Sequence, residues 1–489
     1  MKTLFSLLFS LLFCVGYAQV VTPGTGISYT FQNLASAYPA AINSPSEGHY
    51  TLTQSLTISA GDTLMLDAST QEIFCNNTLT ITINGCLFCE PRTDTLVFTS
   101  NTSNCNGDFY DIRIDNASAC SFADILFEYG NSILILQSDA AFDRCEFRFF
   151  SQPSIKYMDA NPVIENCFFH DNRQAAISSA ANVTGAPVIR NNIFYHNVLN
   201  NANQPQINLG PGTPNDTIKI EDNHIEGSVS MSGGIAIANL MNVSQTNAII
   251  RGNTIVNNRY GYTQNGSNIY ALIENNIIRD NNLETNPMNG GSGISIYGSD
   301  TTCAAKIRRN LISGNLWGIT AINKHRIDMG TANDYGYNCI LDNENEGITY
   351  ALYNNATSNI DAIGNYWGSS DTIEVEDVIF HHADNSIYGI VNYMPILETD
   401  PDILAIPEEE PLHVSIMPNP ACSGYVVIHN PIGEPLFCEL YSLAGQSLYA
   451  GWCIGTQRVV GTGHLPNGLY LLKTTCGTRS RTFKVVVNN

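Results

Sequence analysis

A short pattern recurs eight times between Pro162 and Ser370, and it limits the fold more strongly than any other feature of the sequence. It is clearest in residues 188–197, VIRNNIFYHN, and reads apolar, x, x, Asn, x, apolar, x, x, Asn. Its first polar position forms a column: Cys167, Asn192, Asn223, Asn253, Asn276, Asn310, Asn338 and Asn365. A period of roughly 20–50 residues with irregular insertions predicts a solenoid of stacked units.

Apolar and polar columns accompany the first Asn column at fixed offsets. Two places after it every residue is apolar: Phe169, Phe194, Ile225, Ile255, Ile278, Ile312, Ile340 and Trp367. Five places after it lies a second polar column: Asn172, Asn197, Ser228, Asn258, Asn281, Asn315, Asn343 and Ser370. The apolar runs are short, β-branched or aromatic, which predicts strands rather than helices. The sequence therefore predicts an all-β parallel β-helix.

The two polar columns predict ladders of side-chain amides. In stacked coils the strand spacing is about 4.8 Å, so each Asn lies over the next and their amides can hydrogen-bond along the axis. Turn propensity explains one Asn per turn, but not two columns in register. Cys145 precedes Cys167 by one coil in the first column, and the pair is expected to form either a disulfide or two stacked free thiols.

The N-terminus has the features of an export signal. Residues 1–18 combine one Lys, an apolar segment and a small-residue end, which predicts a cleaved signal peptide. The solenoid is expected to span residues 19–397, with residues 20–50 as its N-terminal cap. No later apolar run approaches about 18 residues, so no membrane span is predicted in the mature chain.

The charge balance limits the partners. Lys and Arg number 22 against 44 Asp and Glu, for a formal net charge of −22. Nucleic acid is not expected as a partner, because phosphate binding needs basic surfaces. The only metal-like spacing is Cys86-x-x-Cys89, which lacks a second half, so neither a metal nor another cofactor is predicted.

The coil pattern resembles the right-handed parallel β-helix repeats of the pectin-lyase-like superfamily, and residues 364–397, which contain Asn365-Tyr366-Trp367-Gly368, resemble the closing coil of bacterial surface β-helices. This resemblance implies a right-handed coil. It does not imply a particular activity.

The repeat ends before an acidic, Pro-rich linker at residues 398–412, and residues 413–489 predict a small β-sandwich. Four motifs in this segment resemble the type A C-terminal sorting domain of the type IX secretion system; their residues include Pro418, Asn419, Pro420, Gly445, Gly468, Tyr470 and Lys484. The resemblance implies that the type IX secretion machinery is a partner, and that the chain passes through the periplasm to the cell surface or the medium. As a sorting domain, the sandwich is expected to contribute nothing to the solenoid. The alternative is an accessory carbohydrate-binding sandwich.

Outward positions one and three places after the first Asn column are candidates for ligand contacts. They include His170, Tyr195, His224 and Glu226. Aromatic, imidazole and carboxylate groups on adjacent coils can stack on sugar rings and bond their hydroxyls, which predicts a glycan-binding surface. The alternative is a solvated surface with scattered aromatics.

A polysaccharide lyase would need a cationic or basic side chain to remove the proton next to a uronate carboxylate, with Ca²⁺ or a cation neutralising that carboxylate. The candidates are Lys306, Arg308, Lys324 and Arg326. Polygalacturonase motifs are absent from the sequence. We therefore predict a glycan-binding or structural surface protein, with a lyase acting on an acidic glycan as the alternative.

Overall fold

The computed structural model describes residues 19–401 and 412–488, except 77, 91, 93, 101–109, 413, 422, 423, 432, 434, 435, 444, 454, 477 and 478. Over the first range the chain winds through three long sheets, and each coil adds one strand to sheet 1, then sheet 2, then sheet 3. All pairings between successive coils are parallel; the first two strands of sheet 3 pair antiparallel.

The three sheets have 14, 14 and 13 strands among the described residues. Sheet 1 contains Gln19–Val21, Ser55–Ile58, Thr80–Ile83, Tyr110–Asp115, Gly130–Leu136, Ile155–Met158, Ile177–Ser179, Gln204–Leu209, Ser232–Asn239, Tyr262–Gly266, Ser292–Gly298, Trp317–Asn323, Leu352–Ala356 and Ile379–Phe380. Sheet 2 contains Ser28–Tyr29, Thr63–Leu66, Cys86–Cys89, Ala119–Ala123, Ala140–Asp143, Val163–Glu165, Val188–Arg190, Thr217–Glu221, Thr246–Arg251, Ile269–Glu274, Cys303–Arg308, Arg326–Asp328, Ile360–Asp361 and Val391–Asn392. Sheet 3 contains Ile42–Ser46, His49–Leu52, Glu72–Cys75, Leu96–Ser100, Ile125–Glu128, Glu146–Arg148, Phe168–His170, Ile193–Tyr195, His224–Glu226, Thr254–Val256, Ile277–Arg279, Leu311–Ser313 and Cys339–Leu341.

The corner from sheet 2 to sheet 3 is tight in most coils, and in most coils the chain leaves both sheet 2 and sheet 3 through a left-handed residue. Asn191 and Asn275, both with φ of 56°, turn the chain from sheet 2 to sheet 3, and Asp280, also at 56°, turns it from sheet 3 to sheet 1. Asn and Asp tolerate this conformation better than most residues, which explains their frequency just before each ladder position. The corners on both sides of sheet 1 carry most of the insertions that make the repeat length irregular, such as residues 180–187 before sheet 2 and residues 280–291 after sheet 3.

The first predicted ladder is continuous from Asn192 to Asn365. The amide of Asn253 shows the pattern: its oxygen accepts from the side chain of Asn223 at 2.9 Å, and its nitrogen donates to Asn276 at 3.0 Å and to the Ile220 carbonyl at 2.8 Å. At its start Cys145 and Cys167 are free thiols, and the Cys145 N–H donates to the Cys167 sulfur at 3.4 Å. The stacked-thiol alternative is therefore the one present.

The second ladder departs from the prediction at one coil. Ser228 is exposed, and the buried amide of Gln206 takes its place, accepting from Asn197 at 2.9 Å and donating to Asn258 at 3.1 Å. Ser370 is also exposed and lies beyond the last rung at Asn343. A serine side chain is too short to reach both neighbours, so a longer amide from sheet 1 bridges the gap.

Stacked apolar side chains fill the solenoid. On the inner side of sheet 3, Phe147 stacks on Phe169 at 4.5 Å between ring centroids, and Phe169 stacks on Phe194 at 5.0 Å. On the inner side of sheet 2, Ile164, Ile189, Ile220, Ile250, Ile273 and Ile307 are fully buried. Because burying one such side chain contributes about 1.5–3 kcal/mol, this continuous core stabilises the coils.

Both ends of the solenoid are closed by short helices. Helix Phe31–Ala37 buries Phe31 and Leu34, and Thr30 caps it. Next to it the Asp62 carboxylate accepts the backbone N–H groups of residues 24–27 at 2.8–3.0 Å. Helix Thr372–Asp377 follows the last ladder, with the Asp371 side chain as its cap. A small antiparallel hairpin, Glu344–Asn345 and Ile348–Thr349, projects from a corner before it.

The C-terminal segment forms two antiparallel sheets with a separate core. One contains Ser415–Met417, Tyr425–His429 and Gln457–Gly461; the other contains Leu436–Ser442, Ser447–Cys453, Gly468–Cys476 and Arg479–Val487. Val426, Leu440 and Leu472 are among the buried residues between them. The predicted fold class, an all-β solenoid followed by a small sandwich, is confirmed. Among the described residues no helix has the length and hydropathy needed to cross a membrane.

Candidate functional site

The four predicted glycan-facing residues lie together on the outer surface of sheet 3. His170, Tyr195 and Glu226 are register partners on three successive strands, and His224 lies beside Glu226 on the last of them. Inward neighbours such as Phe194 are buried in the core, so the side chains of this column point away from it. The structure thus brings the predicted residues onto one surface, which we call the sheet 3 surface.

Ion pairs and hydrogen bonds neutralise most charges on the sheet 3 surface. His170 lies between two carboxylates, with Nδ1 2.8 Å from Asp171 and Nε2 3.0 Å from Glu146. Burial opposes protonation of His170, but these two carboxylates hold its pKa above the ordinary value. Burial would raise the pKa of Glu146, yet hydrogen bonding and charge from His170, with nearby arginines, hold it below the ordinary value.

The neighbouring pair on this surface behaves in the same way. His224 Nε2 lies 3.1 Å from Glu226, whose other oxygen accepts from Asn257 at 3.2 Å. Burial opposes ionisation of Glu226, but these contacts lower the pKa of its carboxyl group. His196 is different, because burial lowers its pKa. The surface is therefore a set of satisfied pairs.

The C-terminal sandwich covers part of the sheet 3 surface. The Trp452 ring lies 4.5 Å from the Phe168 ring and 6.3 Å from the Tyr195 ring, and Phe437 lies 6.1 Å from Tyr195. Outward aromatic side chains of the two parts thus pack together, while their cores are separate, so the expectation that the solenoid folds without residues 413–489 stays a prediction. Neither Phe437 nor Trp452 belongs to a recurring column, so the repeat could not reveal this contact.

The candidate lyase cations lie on sheet 2 and the corner before it. Lys306 Nζ is 2.8 Å from Asp334, and Arg308 contacts Asp334 at 3.0 Å and Asp328 at 2.7 Å. Lys324 and Arg326 are exposed. The structure brings Lys306 and Arg308 together on one carboxylate, so each already has an ion-pair partner. Among the described residues, no group of three or more His, Cys, Asp or Glu is arranged to hold a metal ion.

An open cleft lies on the outer surface of sheet 1. Its volume is about 360 Å³, within the usual range for ligand sites. Its floor is a column of hydroxyl-bearing side chains in register on four successive strands: Thr263, Ser295, Thr320 and Tyr353. We call this the sheet 1 cleft.

A row of aromatic rings forms one end of the sheet 1 cleft. Trp317 lies 4.7 Å from Tyr350 and 5.0 Å from Tyr353, and Tyr353 stacks on Phe380 at 4.4 Å. The Trp317 ring is held in place because its Nε1–H donates to the Pro287 carbonyl at 3.0 Å. Burial raises the pKa of Tyr353, so its hydroxyl remains a donor at neutral pH.

The loop at residues 287–290 forms a wall of the cleft beside Trp317. Arg259 fastens this loop: its Nε donates to the Asn289 carbonyl at 2.7 Å, and its guanidinium lies over the Tyr260 ring. Gly290 packs so closely on Arg259 that an added Cβ would lie 2.7 Å from the arginine side chain. Met288 is 85% exposed at the rim. The wall is thus anchored at its base and apolar at its tip.

The sheet 1 cleft is uncharged. None of the described residues that line it is Asp, Glu, Lys, Arg or His. Its polar groups are hydroxyls and amides, such as Asn355 and Ser292, and the Ser292 and Thr320 hydroxyls lie 3.0 Å apart. Flat aromatic rings beside hydroxyl and amide groups suit a ligand with apolar faces and many hydroxyls.

The repeat pattern did not predict this cleft. The sheet 1 strands follow corners of variable length, so Trp317 and Tyr353 stand at different distances from the second Asn column. The segments WGIT and ALYNN carry a signal nonetheless, because each places an aromatic residue at an outward strand position.

The structure joins distant parts of the predicted sorting motif. The Asn419 side chain donates to the Lys484 carbonyl at 2.7 Å and accepts from the Val486 N–H at 2.9 Å, which ties the Pro418–Pro420 turn to the last strand. The Tyr470 hydroxyl donates to the Pro466 carbonyl at 2.8 Å. Gly445, with φ of 82°, lies in the turn before Ser447, and Gly468 begins a strand.

Comparison with known families agrees with this geometry. Residues 73–278 match the family model described as right handed beta helix region. This region is a right-handed β-helix. Residues 282–373, in its later coils, match a model described as a protein of unknown function, DUF1565. No curated protein sequence matches the chain.

Solved structures similar to the β-helix are remote. A single-substitution mutant of the periplasmic alginate epimerase AlgG is 12% identical, with a TM-score of 0.47, over 76% of this chain and 84% of that one. A mannuronic acid specific polysaccharide family 6 lyase from human gut microbiota is 13% identical, with a TM-score of 0.36, over 72% and 85%. Identities and scores this low support no inference about the activity of this chain.

Proposed function

We propose that the protein binds a polysaccharide in the sheet 1 cleft. The observation that supports this proposal most strongly is the row of aromatic rings that lies beside the column of hydroxyl groups in register. Trp317 and Tyr353 offer ring faces on which the C–H face of a sugar can pack, and Thr263, Ser295 and Thr320 can bond its hydroxyls. Because the column repeats along the solenoid axis, it suits an extended chain of sugars.

The uncharged lining favours a neutral glycan. A uronate polymer brings one carboxylate per acidic sugar, and each needs a cation or strong donor when it leaves water. The sheet 1 cleft supplies neither, and the chain carries a formal net charge of −22, which repels polyanions. A neutral sugar has no carboxylate to bury, and the negative charge of the chain does not repel it.

The lyase alternative receives less support from the residues present. Its candidate cations, Lys306 and Arg308, share Asp334 on sheet 2, whereas the cleft lies on sheet 1. A proton-abstracting group must reach the sugar carbon next to the carboxylate. No specific observation places these cations at a ligand cleft, so binding is the function we propose.

We further propose that the protein is exported and that the C-terminal sandwich is a type IX sorting domain. Support comes from the signal-peptide pattern of residues 1–18, the four motifs in order, and a sandwich core separate from that of the solenoid. The secretion machinery would be the partner in this step. Deleting the last strand, Arg479–Val487, should retain the protein in the periplasm of its own cell, whereas normal surface delivery of that variant would refute the assignment.

The binding proposal can be tested with the full-length chain on an array of neutral and acidic glycans. Trp317→Ala and Tyr353→Ala should each weaken binding to the best ligand by about 1–3 kcal/mol, by analogy with base stacking on aromatic rings. The matched control is Tyr270→Ala, since Tyr270 is an exposed tyrosine on sheet 2. Binding of acidic glycans alone, or equal losses in all three variants, would contradict the proposal.

A further inference from the structure

Phe168 lies on the outer side of sheet 3 and is nevertheless only 1% exposed. Its neighbours in the chain, Cys167 and Phe169, belong to the solenoid core, but Phe168 does not. On the outside it stacks at 4.1 Å on His170, and the Trp452 ring of the sandwich packs over it at 4.5 Å. The burial of Phe168 therefore depends on the sandwich.

The sandwich presents a matching pair of aromatic rings. Phe437 and Trp452 are cross-strand partners whose rings lie 5.2 Å apart. Their chain neighbours Cys438 and Cys453 face the sandwich core and are fully buried. Phe437 and Trp452 thus point out of the sandwich, where they would form an exposed apolar patch if nothing covered them.

Charge complementarity supports the same orientation. Glu146 lies on the solenoid beside Phe168 and ends next to His170. Arg458 belongs to the sandwich, and although burial opposes its charge, Tyr449 and Glu146 are among the groups that raise the pKa of its guanidinium. Opposite charges of the two parts therefore attract each other near the aromatic contact, while Arg458 Nε also donates to the Tyr449 hydroxyl at 3.3 Å.

We infer that the sheet 3 surface is a docking surface for the C-terminal sandwich of the same chain, with Trp452 seated between Phe168 and Tyr195, so that the full-length protein keeps this surface closed while its sheet 1 cleft stays open. Loss of the sandwich uncovers the aromatic, imidazole and carboxylate groups of sheet 3 together. The docking does not depend on the identity of any glycan.

Side-chain oxidation by hydroxyl radicals, read by mass spectrometry, tests this docking in the full-length chain. In the unaltered protein Phe168 and Tyr195 should be protected, while Tyr270, which is 39% exposed, is oxidised and the core residue Tyr262 is not. Trp452→Ala should raise oxidation of Tyr195 toward the level of Tyr270. Trp452→Phe should restore protection, and Val459→Ala, at an exposed position of the sandwich, should change nothing.

A second variant guards against misfolding of the sandwich. Arg458→Glu leaves the sandwich core intact and places a negative charge against Glu146, so it should also expose Tyr195 and Phe168. Strong oxidation of both residues in the unaltered chain, or no change in either variant, would overturn the inference. Protection that disappears on dilution would show that the sandwich of a second copy is the occupant, which contradicts docking within one chain.

Discussion

Sheet 1 and sheet 3 are built from the same coils, yet their outer surfaces have opposite properties. The sheet 1 cleft is open and uncharged, with rings such as Trp317 beside a column of hydroxyls. The sheet 3 surface is rich in ionisable groups, but His170 and Glu226 already have partners, and Trp452 lies over Phe168. Residue types suited to catalysis or binding therefore do not mark a site when their hydrogen bonds are already made and their surface is covered.

The contrast arises from the corners rather than from the strands. The corner from sheet 2 to sheet 3 has two residues in most coils, such as Asn275 and Asn276, so little chain is left there to build walls. The corner from sheet 3 to sheet 1 varies in length, and between Arg279 and Ser292 it includes the loop at residues 287–290, which makes a wall for the sheet 1 cleft. Ligand sites need concave surfaces, and only loops of variable length supply them on a flat solenoid.

The largest expected effect comes from breaking the ladder on which both surfaces rest. Asn253→Leu removes an amide whose buried partners, Asn223, Asn276 and the Ile220 carbonyl, would each lose a hydrogen bond. We expect a loss of about 3–5 kcal/mol in the free energy of unfolding, measured with denaturant. The control Asn247→Leu, on the outer side of sheet 2, should stay within about 0.5 kcal/mol. Equal losses in the two variants would mean that the ladder is not what holds the coils together.

A smaller effect should distinguish the two surfaces, because only the stability contribution of the sheet 3 surface should depend on pH. The pKa of His170 is raised from 6.5, so its contribution to stability is complete below that value and is lost as the pH rises through its folded pKa. The pKa of Glu146 is lowered from 4.5, so its contribution is complete above that value and is lost as the pH falls through its folded pKa. The stability difference between the wild type and His170→Gln should therefore be greatest between about pH 4.5 and 6.5.

Thermal unfolding across this pH range measures that difference. Comparing each pH with the variant at the same pH cancels the opposite effect of His196, whose pKa is lowered by burial. Glycan binding at the sheet 1 cleft should stay constant over the same range, because the described residues that line it include no Asp, Glu, His, Lys or Arg. If the stability difference did not vary with pH, the ion pairs assigned to His170 would be contradicted.

The fold could be predicted from the sequence because its determinants are periodic. The columns that contain Asn253 and Ile255 recur in eight coils between Pro162 and Ser370, and a core packed in the same way in each coil produces a periodic sequence. The substitution of Gln206 for Ser228 in the second ladder could not be foreseen, since Gln206 comes from another sheet and reaches the gap only in three dimensions.

The candidate site was less predictable for a related reason. The positions of His170 and Tyr195 followed from the register, but whether they were accessible depended on Trp452, more than 250 residues away in the chain. The Trp317 and Tyr353 rings meet because their strands pair with each other although an insertion separates them in the chain. Contacts between non-repeating segments leave no periodic signal, so the sequence showed the surfaces but not which of them is open.

The most direct measurement compares the two surfaces in the full-length protein with one ligand. Calorimetric titration with the best neutral oligosaccharide should show that Trp317→Ala weakens binding by roughly tenfold to a hundredfold, while Tyr195→Ala leaves the affinity unchanged. Both positions are partly exposed aromatics on strands, so the two variants are matched in chemistry. Loss of binding in Tyr195→Ala together with normal binding in Trp317→Ala would place the ligand on sheet 3 and contradict the account.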